Sequence, residues 1–134
     1  MKLQYICKMK NTINTLNAPQ AIGPYSQAIS FDKILFISGQ IPANPATGEI
    51  VSGGVAEETH QVMKNLKAIL EEAGSHFSNA IKTSIFLKDM HDFAVVNEIY
   101  ASYFEEGNYP ARETVQVAKL PKDVNVEISM IAHL

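Results

Sequence analysis

The amino-acid sequence predicts an α+β domain in which two helices pack on one face of a mixed β-sheet. Two segments repeat apolar residues at helical spacing, several shorter ones alternate with a period of two, and 134 residues suit one hydrophobic core. Apolar residues make up 46% of the chain and charged residues 19%, so the material for that core is present and the charge density is too low for a disordered chain.

In chain order, residues 12–16 and 28–31 are short strand candidates, bounded by loops rich in Gly, Pro and Asn. Residues 33–38 form another, with Ile34 and Phe36 on one side and Leu35 and Ile37 on the other, the pattern of a strand covered on both faces. The first helix is expected over 55–73, where Val62, Met63, Leu66, Ile69, Leu70 and Ala73 share one face. Glu57 and Glu58 complement its dipole in the first turn, and Gly74 occupies the usual position of a left-handed cap. A strand over 81–87 follows, with Ile81, Thr83, Ile85 and Leu87 alternating with Lys82, Ser84 and Phe86. The second helix is expected over 92–105 from the spacing of Phe93, Val96, Tyr100, Tyr103 and Phe104, with Asp89 as N-cap and Gly107 as its stop. Strands over 114–118 and 124–133 complete the chain. If they form a hairpin through the link Leu120-Pro121-Lys122-Asp123, Arg112 and Thr114 come within a few residues of Glu127, but periodicity does not set that register.

Two helices cover only one face of a sheet of five or six strands. The other face receives one apolar pair from 33–38 together with Glu127 and Ile131, and a second copy of the chain is its simplest cover. The pattern therefore predicts a homo-oligomer.

Eleven Lys and Arg against fourteen Asp and Glu give a net charge of -3, with no basic cluster, which weighs against binding nucleic acid through its phosphates. Cys7 is the sole cysteine, so there is neither an intrachain disulfide nor a CxxC motif, as suits a reducing cytoplasm. No apolar run approaches the roughly 18 residues of a membrane span. Residues 1–11 are expected to be a flexible extension, with Met9 an alternative start, and 12–134 a single domain.

The usual sources of chemistry are missing. His60, His76, His91 and His133 have no metal-ligand spacing, Gly48, Gly53 and Gly54 are not followed by a phosphate-loop Lys, and no GxSxG motif offers a nucleophile. Neither metal nor organic cofactor is expected. Four constrained polar positions remain. Tyr25 follows Gly23-Pro24, which fixes its approach, although a ring packed over the core edge explains it equally well. Ser38-Gly39 ends a buried strand where a ligand or a neighbouring strand approaches closely. Arg112 after Pro110-Ala111 is a fork for a carboxylate, or else a surface partner of Glu113 or Glu105. Glu127 lies in an otherwise apolar strand, where it must be hydrogen-bonded, paired or raised in pKa.

The segments AIGPYSQA, FISGQIPANPATGEI, HQVMKNLKAILEEAG, LKDMHDFAVVNEIYASYF and PARETVQVAKLPKDVNVEI closely resemble, in order, the RidA/YjgF (reactive intermediate deaminase) family. The resemblance implies a chorismate-mutase-like α+β subunit assembled as a homotrimer, its sheets forming an inner barrel and an active site lying in each cleft between subunits. It implies hydrolysis of 2-imino acids and their enamine tautomers, such as 2-aminoacrylate, to 2-oxo acids and ammonia. By position, Arg112 would hold the substrate carboxylate, Glu127 would activate or orient water, Tyr25 would line the cleft, and the backbone of Thr114 would hold the substrate. Ser38, Gly39, Phe93 and Asn97 match further cleft positions. Thr114 departs from the cysteine common there, and Glu113 departs from a small residue and could alter the charge at the mouth. Superfamily members that bind metabolites or regulate partners without turnover supply the competing reading, and an RNA-directed role, reported for some relatives, is opposed by the acidic balance.

Overall fold

The computed structural model describes residues 9–134 of the chain; Cys7 and the rest of residues 1–8 lie outside the described part. The elements are β1 (Lys10–Ile13), β2 (Ala28–Phe31), β3 (Ile34–Gln40), α1 (Val55–Glu72), β4 (Ala80–Leu87), α2 (Phe93–Ala101), β5 (Ala111–Gln116) and β6 (Val126–His133). The strands form one sheet in the order β1-β2-β3-β6-β4-β5, antiparallel except for the β4–β5 pair. The expected α+β layout, a mixed sheet with two helices, is the observed one.

Helix α1 lays Val62, Met63, Leu66, Ile69 and Leu70, all inaccessible to solvent, on the face formed by Leu35, Ile37, Ile85, Leu87, Val126, Ile128 and Met130. Each such side chain contributes about 1.5–3 kcal/mol by leaving water. The helix ends at Glu72, and Gly74 takes the left-handed conformation, φ 76°, that a β-carbon disfavours. Alternation decides which half of each strand is covered. Leu35 and Ile37 lie under the helices, whereas Ile34, Phe36, Lys82, Ser84, Phe86, Glu127, Ser129 and Ile131 occupy the other face. Phe36 remains 47% exposed there.

Four expectations need correction. The last two strands are not a hairpin: α2 crosses over so that β5 runs parallel to β4, and β4 separates β5 from β6. The β5 strand also begins earlier than expected, immediately after Pro110, with Ala111 opposite Lys82. The second helix is shorter than the periodicity suggests. Asp89 caps a separate 3-10 turn, Met90–Asp92, by accepting from the backbone N–H of His91 at 2.9 Å, and beyond Ala101 the chain tightens into i→i+3 bonds ending at Tyr103 and Phe104. The first strand stops at Ile13 because Thr15 turns inward: its N–H donates to Oε1 of buried Gln27 at 2.7 Å and its carbonyl accepts from Gln27 Nε2 at 3.0 Å.

Candidate active site

Strand β5 is the sheet edge, and Arg112 pairs in register with Thr83 on the helix side of β4. Its guanidinium lies 5.6 Å from the centre of the Phe93 ring and 5.1 Å from that of Tyr100, and Nη1 donates to Asn97 Oδ1 at 2.7 Å. Phe93, Asn97 and Tyr100 fall on one face of α2 by their spacing, so the helix presents a platform for the cation. Tyr100 is almost wholly buried and shares a 2.7 Å hydrogen bond with Thr83 Oγ1. Burial raises its pKa, against the smaller opposing effects of that bond and of Arg112, so the phenol stays neutral beneath the guanidinium. A depression of about 490 Å³ opens here, lined by Asn97, Tyr100, Ala101, Tyr109, Pro110 and Arg112. On the same side of β5, Thr114 Oγ1 is buried with no hydrogen-bond partner among the described residues.

Glu127 pairs with Phe86, two strands in from that edge and on the opposite face of the sheet. It lines a second depression, about 390 Å³, with Ile22, Tyr25, Ser38, Gly39, Ile41, Pro121 and Lys122. The β3–β6 register shifts between Ile37 and Gln40, and Gly39 lies within this shift. A β-carbon on Gly39 would stand 2.7 Å from Glu127 Oε1 and 2.9 Å from its Cδ, so the missing side chain is what lets the carboxylate lie against β3. Desolvation there raises the pKa of Glu127 above its ordinary value of 4.5. Ser38 Oγ donates to the carbonyl of Ser26 at 2.6 Å, which ties the Gly23-Pro24-Tyr25 loop to β3 and brings Tyr25, half exposed, to the pocket.

The structure thus gathers the sequence-predicted residues into two groups, Arg112 with Phe93 and Asn97, and Glu127 with Tyr25, Ser38 and Gly39. It does not bring the two groups together within one chain. Glu113 faces away from Arg112 and bonds to Lys82 at 3.2 Å and Ser84 at 3.0 Å; these partners hold its pKa below the ordinary value, and Lys82 balances its charge. Sequence reasoning missed Tyr100 as a support for Arg112, although its spacing from Phe93 and Asn97 carried the signal. Tyr109, Ile22, Ile41 and Lys122 carried none. Among the described residues no group of three or more His, Cys, Asp or Glu side chains is placed to hold a metal, and no helix is long and apolar enough to cross a membrane.

A small α+β domain with a cation at one sheet edge and a half-buried carboxylate on the opposite face is the class that fold and site define. A family model described as Endoribonuclease L-PSP matches residues 15–134. The chain is 56% identical to a RutC family protein of Pyrococcus horikoshii over 125 residues, 93% of this chain and 98% of that one. It is 51% identical to the human 2-iminobutanoate/2-iminopropanoate deaminase over 124 residues, 92% of this chain and 90% of that protein. A crystal structure of a Rid family protein from Yersinia pestis superposes with a TM-score of 0.92 at 49% identity, covering 94% of this chain and 100% of the other. The chain belongs to the RidA/YjgF family.

The contact at Gly39 generates a direct test. Gly39→Ala should leave the fold intact, since the β-carbon meets a movable side-chain end, but should push the Glu127 carboxylate toward water. Its pKa, followed by carboxyl-carbon NMR titration, is expected to fall toward 4.5. An unchanged titration would mean that Gly39 does not set the burial of Glu127.

Proposed function

We propose that this protein hydrolyses reactive 2-imino acids, 2-iminopropanoate (the tautomer of 2-aminoacrylate) and 2-iminobutanoate, to 2-oxo acids and ammonia, as a cytoplasmic homotrimer with sites between subunits. The division of Arg112 and Glu127 between the two faces of the sheet carries this reading. A single chain offers two incomplete depressions, and apposition of one copy's edge to its neighbour's open face would join an anion anchor to a carboxylate. The apolar residues left on that face, Phe36 among them, supply the driving force for association. The curated relatives named as imine deaminases, about half identical along almost the whole chain, support the reaction class.

In the proposed mechanism Arg112, pre-oriented by Asn97 and the Phe93 and Tyr100 rings, holds the substrate carboxylate through charge-assisted bonds. The backbone of Thr114 adds contacts alongside, and Tyr25, Ser38 and Gly39 close the opposite wall. An enamine first takes a proton at its terminal carbon to become the iminium. Glu127 then accepts a proton from water as its oxygen bonds to the iminium carbon, giving a carbinolamine. Glu127 passes that proton to the amine nitrogen, the C–N bond breaks with its electron pair leaving on ammonia, and the regenerated Glu127 carboxylate takes the hydroxyl proton as the carbonyl of the 2-oxo acid forms. The iminium carbon is already electrophilic, so placement and one proton relay are sufficient. A role in RNA cleavage, which the family model's description evokes, finds little electrostatic support in a chain of net charge -3.

Three outcomes test this. With 2-aminoacrylate generated by a PLP-dependent dehydratase, the protein should accelerate release of the oxo acid over spontaneous hydrolysis. Arg112→Ala should then cost about 2–5 kcal/mol of transition-state stabilisation while thermal unfolding is little changed, and Arg112→Lys should recover only part. Normal turnover by a folded Arg112→Ala protein would sink the mechanism.

The second outcome follows from the raised pKa of Glu127. A base must be ionised, so kcat/KM should rise with pH through an acid limb lying above 4.5, and Glu127→Gln should abolish the limb with most of the rate. Linkage gives the opposite sign for stability: the folded chain binds this proton more tightly than the unfolded one. The contribution of Glu127 is therefore complete below 4.5 and is lost as pH rises through its folded pKa.

Third, sedimentation should give three times the 14.8 kDa subunit mass, and Phe36→Asp, which places a charge on the open face, should shift the mass toward that of one subunit and abolish turnover. A fully active Phe36→Asp monomer would refute the shared site.

A further inference from the structure

The Glu127 pocket is walled by two segments outside the regular strands, the chain leaving β3 at Ile41 and the turn at Pro121 and Lys122 that leads into β6. Each is tied instead to a buried polar side chain of α1, on the far side of the sheet. Asn65, 1% exposed, donates from Nδ2 to the carbonyls of Ile41 at 3.2 Å and Ala43 at 3.0 Å, while its Oδ1 accepts from Gln61 Nε2 at 2.9 Å. Glu58, 4% exposed, accepts from the backbone N–H of Asn125 at 3.0 Å and from the Asn125 side-chain amide. The two residues are seven apart, two helical turns, on the face that also carries Val62.

Glu58 is an unusual choice for a purely structural anchor. A buried carboxylate is costly where an apolar residue of similar size would pack, and this one serves no cap, since both of its bonds go to Asn125. What it holds is a turn under strain: Lys122 and Asp123 adopt φ 54° and 55°, left-handed values that disfavour residues with a β-carbon. The same turn is braced by Lys88, whose N–H donates to the Asn125 carbonyl at 3.0 Å and whose Nζ pairs with Asp123 at 3.1 Å. Asn125 lies two residues before Glu127, so displacement of one moves the other.

We propose that Glu58 and Asn65 are positioning residues, through which α1 holds both walls of the pocket and the start of β6 so that the Glu127 carboxylate meets its water in a fixed place. The assignment deepens the deaminase reading and rests on it for its kinetic consequence. Its structural consequence stands apart, in the protection of residues 122–126.

The experiment compares Glu58→Ala, Glu58→Gln and Asn65→Ala with Val62→Ala, a core truncation on the same helix face that touches neither wall segment by hydrogen bond. Per folded protein, Glu58→Ala and Asn65→Ala should lower kcat on 2-iminopropanoate about tenfold or more with KM within about twofold, because the Arg112 anchor is untouched. Glu58→Gln should recover most of kcat, its amide oxygen accepting from the Asn125 N–H and its amide nitrogen donating to a flipped Asn125 side chain. Val62→Ala should lose thermal stability at unchanged kcat. Amide hydrogen exchange over residues 122–126 should quicken in Glu58→Ala and not in Val62→Ala. Equal kcat in Glu58→Ala and Val62→Ala, or unchanged exchange over 122–126, overturns the proposal. If Glu58→Ala does not fold, Asn125→Ala, which removes only the side-chain bond, must give the same split in kcat and exchange. Wild-type protein without turnover would refute the deaminase reading instead, and the exchange comparison would still decide the positioning role.

Discussion

Burial of one stripe of α1 against the middle of the sheet is the interaction on which the rest of the molecule depends. Val62, Met63, Leu66, Ile69 and Leu70 meet strands β3, β6 and β4, which are adjacent in the sheet, so a single helix fixes the order and twist of its centre. That packing also decides what stays open. With Leu35 and Ile37 turned toward the helix, alternation leaves Ile34 and Phe36 on the far side, and the same rule applied to β6 puts Glu127 with them. A one-residue slip of β6 would bury Glu127 in the core and expose Ile128. The position of the carboxylate is therefore a consequence of core packing.

The second constraint is topological. A parallel β4–β5 pair needs a crossover, and α2 provides it, lying beside β4 and β5 on the same face as α1. The crossover delivers the face carrying Phe93, Asn97 and Tyr100 to the side of β5 from which Arg112 projects. Arg112 is a surface residue, yet a ring on each of two helical turns and one amide restrict its guanidinium, which under the proposed function would lower the entropy lost on gripping the substrate carboxylate.

Periodicity in the sequence was sufficient to identify both helices, most strands and the face that needs a cover, because these depend on local spacing and burial. It misplaced what depends on partners distant in sequence. The end of β1 depends on Gln27, twelve residues after Thr15, capturing that residue's backbone, and the hairpin expected for the last two strands gave way to pairing with β4, which spacing alone does not predict. Glu58 read as a first-turn residue complementing the helix dipole, and its alliance with Asn125 emerges only when α1 lies across the start of β6. At the site, Arg112, Glu127, Tyr25 and Gly39 stood out in the sequence as polar or small residues in constrained surroundings. Tyr100 reads as core because its spacing from Phe93 and Val96 fits a buried face, and the same spacing from Phe93 and Asn97 gains its second meaning only once Arg112 is known to lie over its ring.

The separation of Arg112 from Glu127 bears on how such a site works. Side by side on one strand face, the two would neutralise each other as an ion pair, and substrate would have to break that pair before binding. Here the sheet lies between them, and each has local company that does not satisfy its charge: rings and a neutral amide for Arg112, a glycine backbone and a mostly apolar wall for Glu127. Under the proposed assembly they would come to one cleft from different subunits with their partners already chosen. The cation would then seek the substrate carboxylate, and the carboxylate, weakly solvated and so a stronger base than its type, would seek the proton of water. In that reading, the groups that would define the chemistry are those that the single chain leaves incompletely paired.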